Sequence, residues 1–292
     1  MALPTIVPGR TVPACPNLSL SPNSRRPRHP SHSIHASHHK FQDAAFRQQI
    51  RTIHQSRQNH QQWPILKAIV KELDATVSDP DLLTQEVEAL AAEVTQLLDG
   101  ANLYFVGMMG SGKSTVGKIV AAALGYPYLD IDAIIVETAG CTVAQIFADQ
   151  GEQAFRDLES QVLQDLGARK GVVVSTGGGA VMRDQNWGHM SQGIVIWLKG
   201  APELLTKRAL SDGTQSRPLL SQSSDQGDDA YTALLAKVTG ILDKRQHLYR
   251  QSDLHIPLER SPGDPSDCGA TPAAVAYRVL KSLEEHLKKG AI

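Results

Sequence analysis

Three glycines spaced through the six residues before a lysine suit the binding of a phosphate chain. Residues Gly107 to Ser114 read Gly-Met-Met-Gly-Ser-Gly-Lys-Ser and fit G-x-x-x-x-G-K-[ST]. Water solvates phosphates well, so a protein must offer many short-range donors to compete. Side chains larger than hydrogen would block that approach, and Gly107, Gly110 and Gly112 remove the obstruction. Lys113 supplies a cation for the β- and γ-phosphates, and the Ser114 hydroxyl is placed to ligate Mg²⁺. The positive end of a following helix adds to the same attraction.

Other residues with chemical potential follow. Asp130 and Asp132 are two apart, so in an extended strand they would share a face. Either could instead cap a helix. Glu152, Arg156 and Glu159 lie at i, i+4 and i+7, one face of a helix that Asp149 can open with Glu152 at N3. Taken alone, that face reads as a solvated ion-pair ladder. Gly177-Gly178-Gly179 follows the β-branched run Val172 to Thr176 and lets the backbone approach a compact ligand; a flexible turn is the plainer reading.

The elements that must position these groups are legible in the pattern. Strands are expected at Asn102–Val106, Tyr128–Ile131, Val172–Thr176, Ile194–Leu198 and Leu254–Pro257. Between Lys113 and Gly125 the helical period returns, with Val116, Ile119, Val120, Ala123 and Leu124 on one face. Alternating strands and helices predict a parallel sheet covered on both faces. Ligands collect at the carboxyl ends of such strands, which is where the glycine loop, the two aspartates and the three glycines fall. Upstream, Leu83, Val87, Leu90, Val94 and Leu97 form an amphipathic stripe over residues 82–98, ended by Asp99-Gly100. Ser221 to Asp229 carries no Val, Ile, Leu or aromatic residue and reads as a mobile loop.

Composition bounds the rest. The 292 residues are 41% hydrophobic, enough for a real core. A net charge of −1 gives no reason to expect nucleic acid or an anionic membrane as partner. No apolar run is long enough for a membrane helix. Three cysteines make no disulfide framework and suit a reducing compartment, with Cys141 expected as a small buried residue. The first acidic residue is Asp43, while Arg10, Arg25, Arg26, Arg28 and Lys40 precede it among many Ser and Pro. Such a leader, residues 1–60, suits an organelle transit peptide. His38 and His39 within it read as part of a solvated tail rather than a metal site.

Taken in order, Gly107–Lys118, Asp130-Ile-Asp132, the segment Phe147 to Glu159, Thr176 to Gly179, Ser216-Arg-Pro-Leu-Leu220 and Leu248-Tyr-Arg250 resemble the shikimate kinase family, over roughly residues 100–285. The resemblance implies a P-loop, nucleoside-monophosphate-kinase-like α/β fold of three layers around a five-stranded parallel sheet. It implies a domain at 100–288 with a helical substrate-binding part at about 132–166 and a lid at about 216–232; the helical extension at 61–99, with its helix at 82–98, lies outside the family's minimal domain. The implied reaction is phosphorylation of the shikimate 3-hydroxyl by ATP with Mg²⁺, in the plastid. By the same resemblance Gly110, Ser111, Gly112, Lys113, Ser114 and Thr115 hold the nucleotide, Arg208 packs on adenine, and Arg217 arrives with the lid. Ser114 and Asp130 serve the metal; Lys113, Asp132 and Arg217 are the catalytic candidates, with Asp132 the base. Arg156, steadied by Glu159, and Arg250 bind the shikimate carboxylate, while Gly178 and Gly179 touch the substrate. Shikimate and ATP are the expected partners, with either a monomer or a homodimer open. The stretch Arg260 to Ala270 is longer than the family pattern and leaves base contacts unassigned. Two other readings stay open: a P-loop kinase acting on gluconate or a nucleotide, and an inactive binding protein of the same fold.

Overall fold

The computed structural model describes residues 80–211, 228–260 and 269–290. The leader, Arg217 and all but the last residues of the expected lid lie outside that set. In chain order the elements are α1 (Pro80–Leu98), β1 (Leu103–Val106), α2 (Lys113–Leu124), β2 (Tyr128–Asp130), α3 (Ile131–Ala139), α4 (Val143–Gly167) and β3 (Val173–Ser175). A 3₁₀ turn (Ala180–Met182), α5 (Asp184–Met190), β4 (Ile194–Lys199), α6 (Pro202–Ser211), α7 (Asp228–Tyr249), β5 (Leu254–Pro257) and α8 (Pro272–Gly290) follow. All five expected strands form, within a residue or two of their expected ends.

The sheet is parallel throughout, in the order β2-β3-β1-β4-β5. Every β1 residue is buried, as a strand covered on both faces requires. Leu103 pairs in register with Val173 on one side and Ile194 on the other, so β1 is central. The chain runs from β1 outward to β2, then from β3 across β1 to β4. That reversal opens a crevice at the carboxyl ends of β1 and β3.

Helices α1, α2 and α8 pack against one another, with α8 also on β5, and the remaining helices form a second group containing α3 to α7. The α1 stripe meets the core through Val87, Leu90, Ala91, Val94 and Leu98. Leu98 takes the innermost place expected for Leu97, because 3.6 residues per turn carry the stripe forward by one position. Lys288 of α8 bridges to Glu93 of α1 at 2.7 Å, an exposed pair of small energetic weight. Burial of the apolar stripe is therefore what holds α1 to the domain.

Two local expectations are corrected. The helix carrying Arg156 does not open at Asp149. The first segment of α4 opens at Thr142, whose Oγ1 accepts from Gln145 N at 3.2 Å while the Thr142 N–H donates to Gln145 Oε1 at 2.8 Å, and the segment carrying Arg156 starts only after a break two residues beyond Asp149. That break comes at Gly151, with φ 84° and ψ 169°, a conformation essentially reserved for glycine. Cys141 is buried, as expected, but it is also disulfide-bonded, against the expectation of uncrosslinked thiols. Three cysteines permit one such pair, and nothing in their spacing marks it.

Candidate active site

A cavity of about 320 Å³ opens at the crevice. Its lining draws on the loop after β1, the end of β2, the start of α3, the kinked α4, the loop after β3 and α7.

The β1–α2 loop is shaped by backbone conformation. Gly110 has φ 75°, and a Cβ there would strike the Leu205 carbonyl. Gly112 precedes the helix at φ 80°, and no side chain caps α2. The helix's first N–H groups are thus left for a ligand, the arrangement that binds phosphate. Lys113 Nζ donates to the Gly107 and Met108 carbonyls at 2.9 and 3.0 Å, folded back over its own loop. Gly110, Gly112, Lys113, Ser114 and Thr115 line the cavity. Ser111 is fully buried and its hydroxyl faces the protein interior, so any ligand contact from it is left to its backbone.

Asp130 closes β2 and does two things. Its Oδ1 accepts from the N–H groups of Asp132 and Ala133 at 3.1 and 3.3 Å, capping α3. Its Oδ2 accepts from Ser114 Oγ at 2.9 Å and Tyr128 OH at 3.0 Å. Burial, and then the neighbouring carboxylate, keep the Tyr128 hydroxyl firmly protonated. Asp130 and Asp132 do not share a strand face, because the strand ends at Asp130 and Asp132 sits in the first helical turn. Both still line the cavity. The paired hydroxyl and carboxylate oxygens of Ser114 and Asp130 are hard donors suited to Mg²⁺, which binds through few protein ligands and keeps waters or phosphates. Among the described residues no cluster of three or more His, Cys, Asp or Glu comes together.

Arg156 stands on α4 past the kink, its side chain only 11% exposed. Its Nη1 meets Glu159 Oε2 at 2.9 Å, and its Nη2 meets Glu152 Oε1 at 3.1 Å. Glu159 is fully buried while Glu152 is exposed, so this is a cation held by a buried acid rather than a surface ladder. Burial pushes the Glu159 carboxyl up to about 7, with Arg156 opposing and the charge of Asp132 adding to the rise. For Arg156, burial works against the charge, but Glu159 and then Glu152 outweigh it and raise its proton affinity. The guanidinium lies against Gly179, where a Cβ would come within 2.5 Å of its central carbon. Asp132 Oδ1 and Glu159 Oε1 in turn flank Gly177. The three glycines are therefore packed against Glu159, Asp132, Arg245 and Arg156 rather than forming a loose turn.

A second arginine comes from α7, but it is not Arg250. Arg250 is exposed at the helix end and lies off the cavity. Arg245 lines the cavity and donates from Nη1 to the Gly178 carbonyl at 3.0 Å. Tyr249, the Tyr of the Leu-Tyr-Arg motif, donates to the same carbonyl at 2.6 Å. The motif marked the right helix end, and the i, i+4 spacing of Arg245 to Tyr249 was the signal that separates the two arginines. Sequence reasoning also missed Val143, Phe147 and Phe155, an apolar wall of the cavity whose two rings lie 5.0 Å apart. Arg208 does not line this cavity; its Nη2 donates to the Ala270 carbonyl at 2.6 Å, ahead of α8.

One compact space thus combines a phosphate cradle, a carboxylate facing it, two guanidinium groups and an apolar wall. The shikimate kinase family model matches residues 109–284. The chain is 43% identical over 209 residues to the chloroplastic shikimate kinase of Solanum lycopersicum, covering 70% of this chain and 69% of that one. It is 46% identical over 191 residues to a shikimate kinase of Synechococcus sp., covering 65% and 88%. A solved structure, the shikimate kinase from Acinetobacter baumannii in complex with shikimate, is similar at a TM-score of 0.53 and 32% identity, over 66% of this chain and 97% of that one.

Proposed function

Because the chain belongs to the shikimate kinase family, we propose that it transfers the γ-phosphoryl group of ATP to the 3-hydroxyl of shikimate, giving shikimate 3-phosphate and ADP. The observation that carries this reading is the convergence of Asp132, Arg156 and Arg245 on the cavity that the phosphate loop also lines. An anionic ring bearing hydroxyls matches that set: two guanidinium groups for a carboxylate, a carboxylate for a hydroxyl, and Phe147 with Phe155 for the ring face.

Catalysis of phosphoryl transfer is mainly positioning and electrostatics. The loop amides and Lys113 receive phosphate charge. Asp132 accepts the hydrogen bond of the acceptor hydroxyl and takes its proton as transfer proceeds. Arg156, held by Glu159, and Arg245 fix the carboxylate and hence the ring's orientation. Ser114 and Asp130 would hold Mg²⁺, which when bound neutralises phosphate charge. The cation expected at Arg217 lies outside the described residues. The acid-poor leader and the likeness to a chloroplastic relative support delivery to the plastid; a fluorescent fusion of residues 1–60 that stays cytosolic would defeat that placement.

The test is release of ADP with shikimate, gluconate or no acceptor, each with Mg²⁺ and with chelator. Release that requires both shikimate and Mg²⁺ is expected. Asp132→Ala should lower kcat by roughly a hundredfold or more while leaving the unfolding transition in place. Preference for gluconate, or no acceptor dependence, refutes the reading.

A further inference from the structure

The carbonyl of Gly178 receives two donors from one helix, Arg245 Nη1 at 3.0 Å and Tyr249 OH at 2.6 Å. In a trans peptide the C=O and the following N–H point in opposite directions. Fixing the Gly178 carbonyl toward α7 therefore fixes the Gly179 N–H away from α7. Both residues flanking this peptide lack a Cβ, so little else resists its rotation. The Gly179 backbone is packed against the Arg156 guanidinium. The residue that carries this amide thus lies against the cation proposed to hold the substrate carboxylate.

The two donors differ in permanence. Arg245 lines the cavity, where the proposed reading also commits it to the substrate carboxylate. Tyr249 is fully buried, its ring stacked on Trp197 at 5.7 Å and 18°, and Trp197 is held edge-on by His255 at 5.2 Å. Burial raises the Tyr249 hydroxyl to about 12, with Arg245 opposing, so it remains a protonated donor across the working range.

We propose that Tyr249 is a positioning residue for the acceptor: its hydroxyl locks the Gly178–Gly179 peptide so that the Gly179 N–H meets the substrate carboxylate beside Arg156. This rests on the shikimate kinase reading. It adds a residue that touches neither substrate nor nucleotide and acts through the glycine turn.

Tyr249→Phe removes one oxygen and keeps the ring against Trp197. Its kinetics are compared with those of the unaltered protein, using shikimate and the analogue whose carboxylate is reduced to an alcohol. The shikimate KM should rise about five- to tenfold, the effect of one lost buried hydrogen bond. The KM for ATP and that for the alcohol should stay within about twofold, because neither uses the Gly179 amide. An unchanged shikimate KM, or an equal penalty on both acceptors, overturns the proposal. Should the variant not fold, the hydroxyl proton of Tyr249 in the unaltered, shikimate-bound protein gives the answer by NMR. Slow exchange with water is expected, and exchange at the rate of an exposed tyrosine overturns the proposal. Absence of any transfer to shikimate by the unaltered protein refutes the kinase reading itself, a separate outcome.

Discussion

Glu159→Gln isolates the energetic cost of holding Arg156 with a buried acid. The carboxyl titrates at about 7 in the folded protein against 4.5 ordinarily, chiefly through burial. A raised value means that the ionised form is disfavoured by folding. The associated stability is fully present below about 4.5 and is lost as pH rises through about 7. At about 1.4 kcal/mol per tenfold change in proton affinity, the full gap is worth roughly 3 kcal/mol, most of it between pH ~5 and pH ~8. Because Glu159 is fully buried, solvent screening does not reduce this figure much. Gln keeps the shape and an acceptor for Arg156 Nη1 but does not titrate. Urea unfolding of both proteins at pH ~5 and pH ~8 gives the difference of differences, in which every other titrating group cancels. The unaltered protein should lose roughly 2–3 kcal/mol more than the variant over that span. Identical pH dependence in the two would refute the account of Glu159 as a strained, buried partner.

Arg245→Ala should raise the shikimate KM by roughly ten- to a hundredfold, the scale of a charged hydrogen bond. Arg250→Ala should leave it within about twofold, since that side chain is exposed and off the cavity. Initial-rate kinetics on both variants decide, and the reverse pattern would restore Arg250. Gly151→Ala should destabilise the fold by about 1–3 kcal/mol through the backbone alone, because a Cβ there meets nothing within 4 Å. Equilibrium unfolding with no loss would show that α4 straightens at no cost.

The sheet was legible because each strand is a short buried run of β-branched and aromatic residues, bounded by polar or glycine-rich turns. The phosphate loop was legible because its chemistry is local, confined to eight consecutive residues. Residues whose role depends on tertiary placement were read less well. Asp130 and Asp132 reach one cavity, but through a strand end and a helix cap rather than a shared strand face. Arg250 lies off the cavity because a motif gives an address, whereas the helical turn decides which side chain faces inward; Arg245, one turn back, lines it. The α4 helix was mis-started because Asp149 and Glu152 mimic a capping box. Thr142 and Gln145 form a capping box for the segment before Gly151, and the break at Gly151, which a single helical period does not show, starts the segment that carries Arg156. Burial of Glu159 was invisible for the same reason: an acid at i+3 from an arginine looks alike on a surface and in a core.

The central claim is settled most directly by the product. Purified protein incubated with ATP, Mg²⁺ and shikimate, followed by mass spectrometry and proton–phosphorus NMR, should yield ADP and a single phosphate ester at the 3-hydroxyl. A phosphate on another hydroxyl, or ATP consumed without any shikimate ester, would contradict the account of how Asp132, Arg156 and Arg245 orient the acceptor.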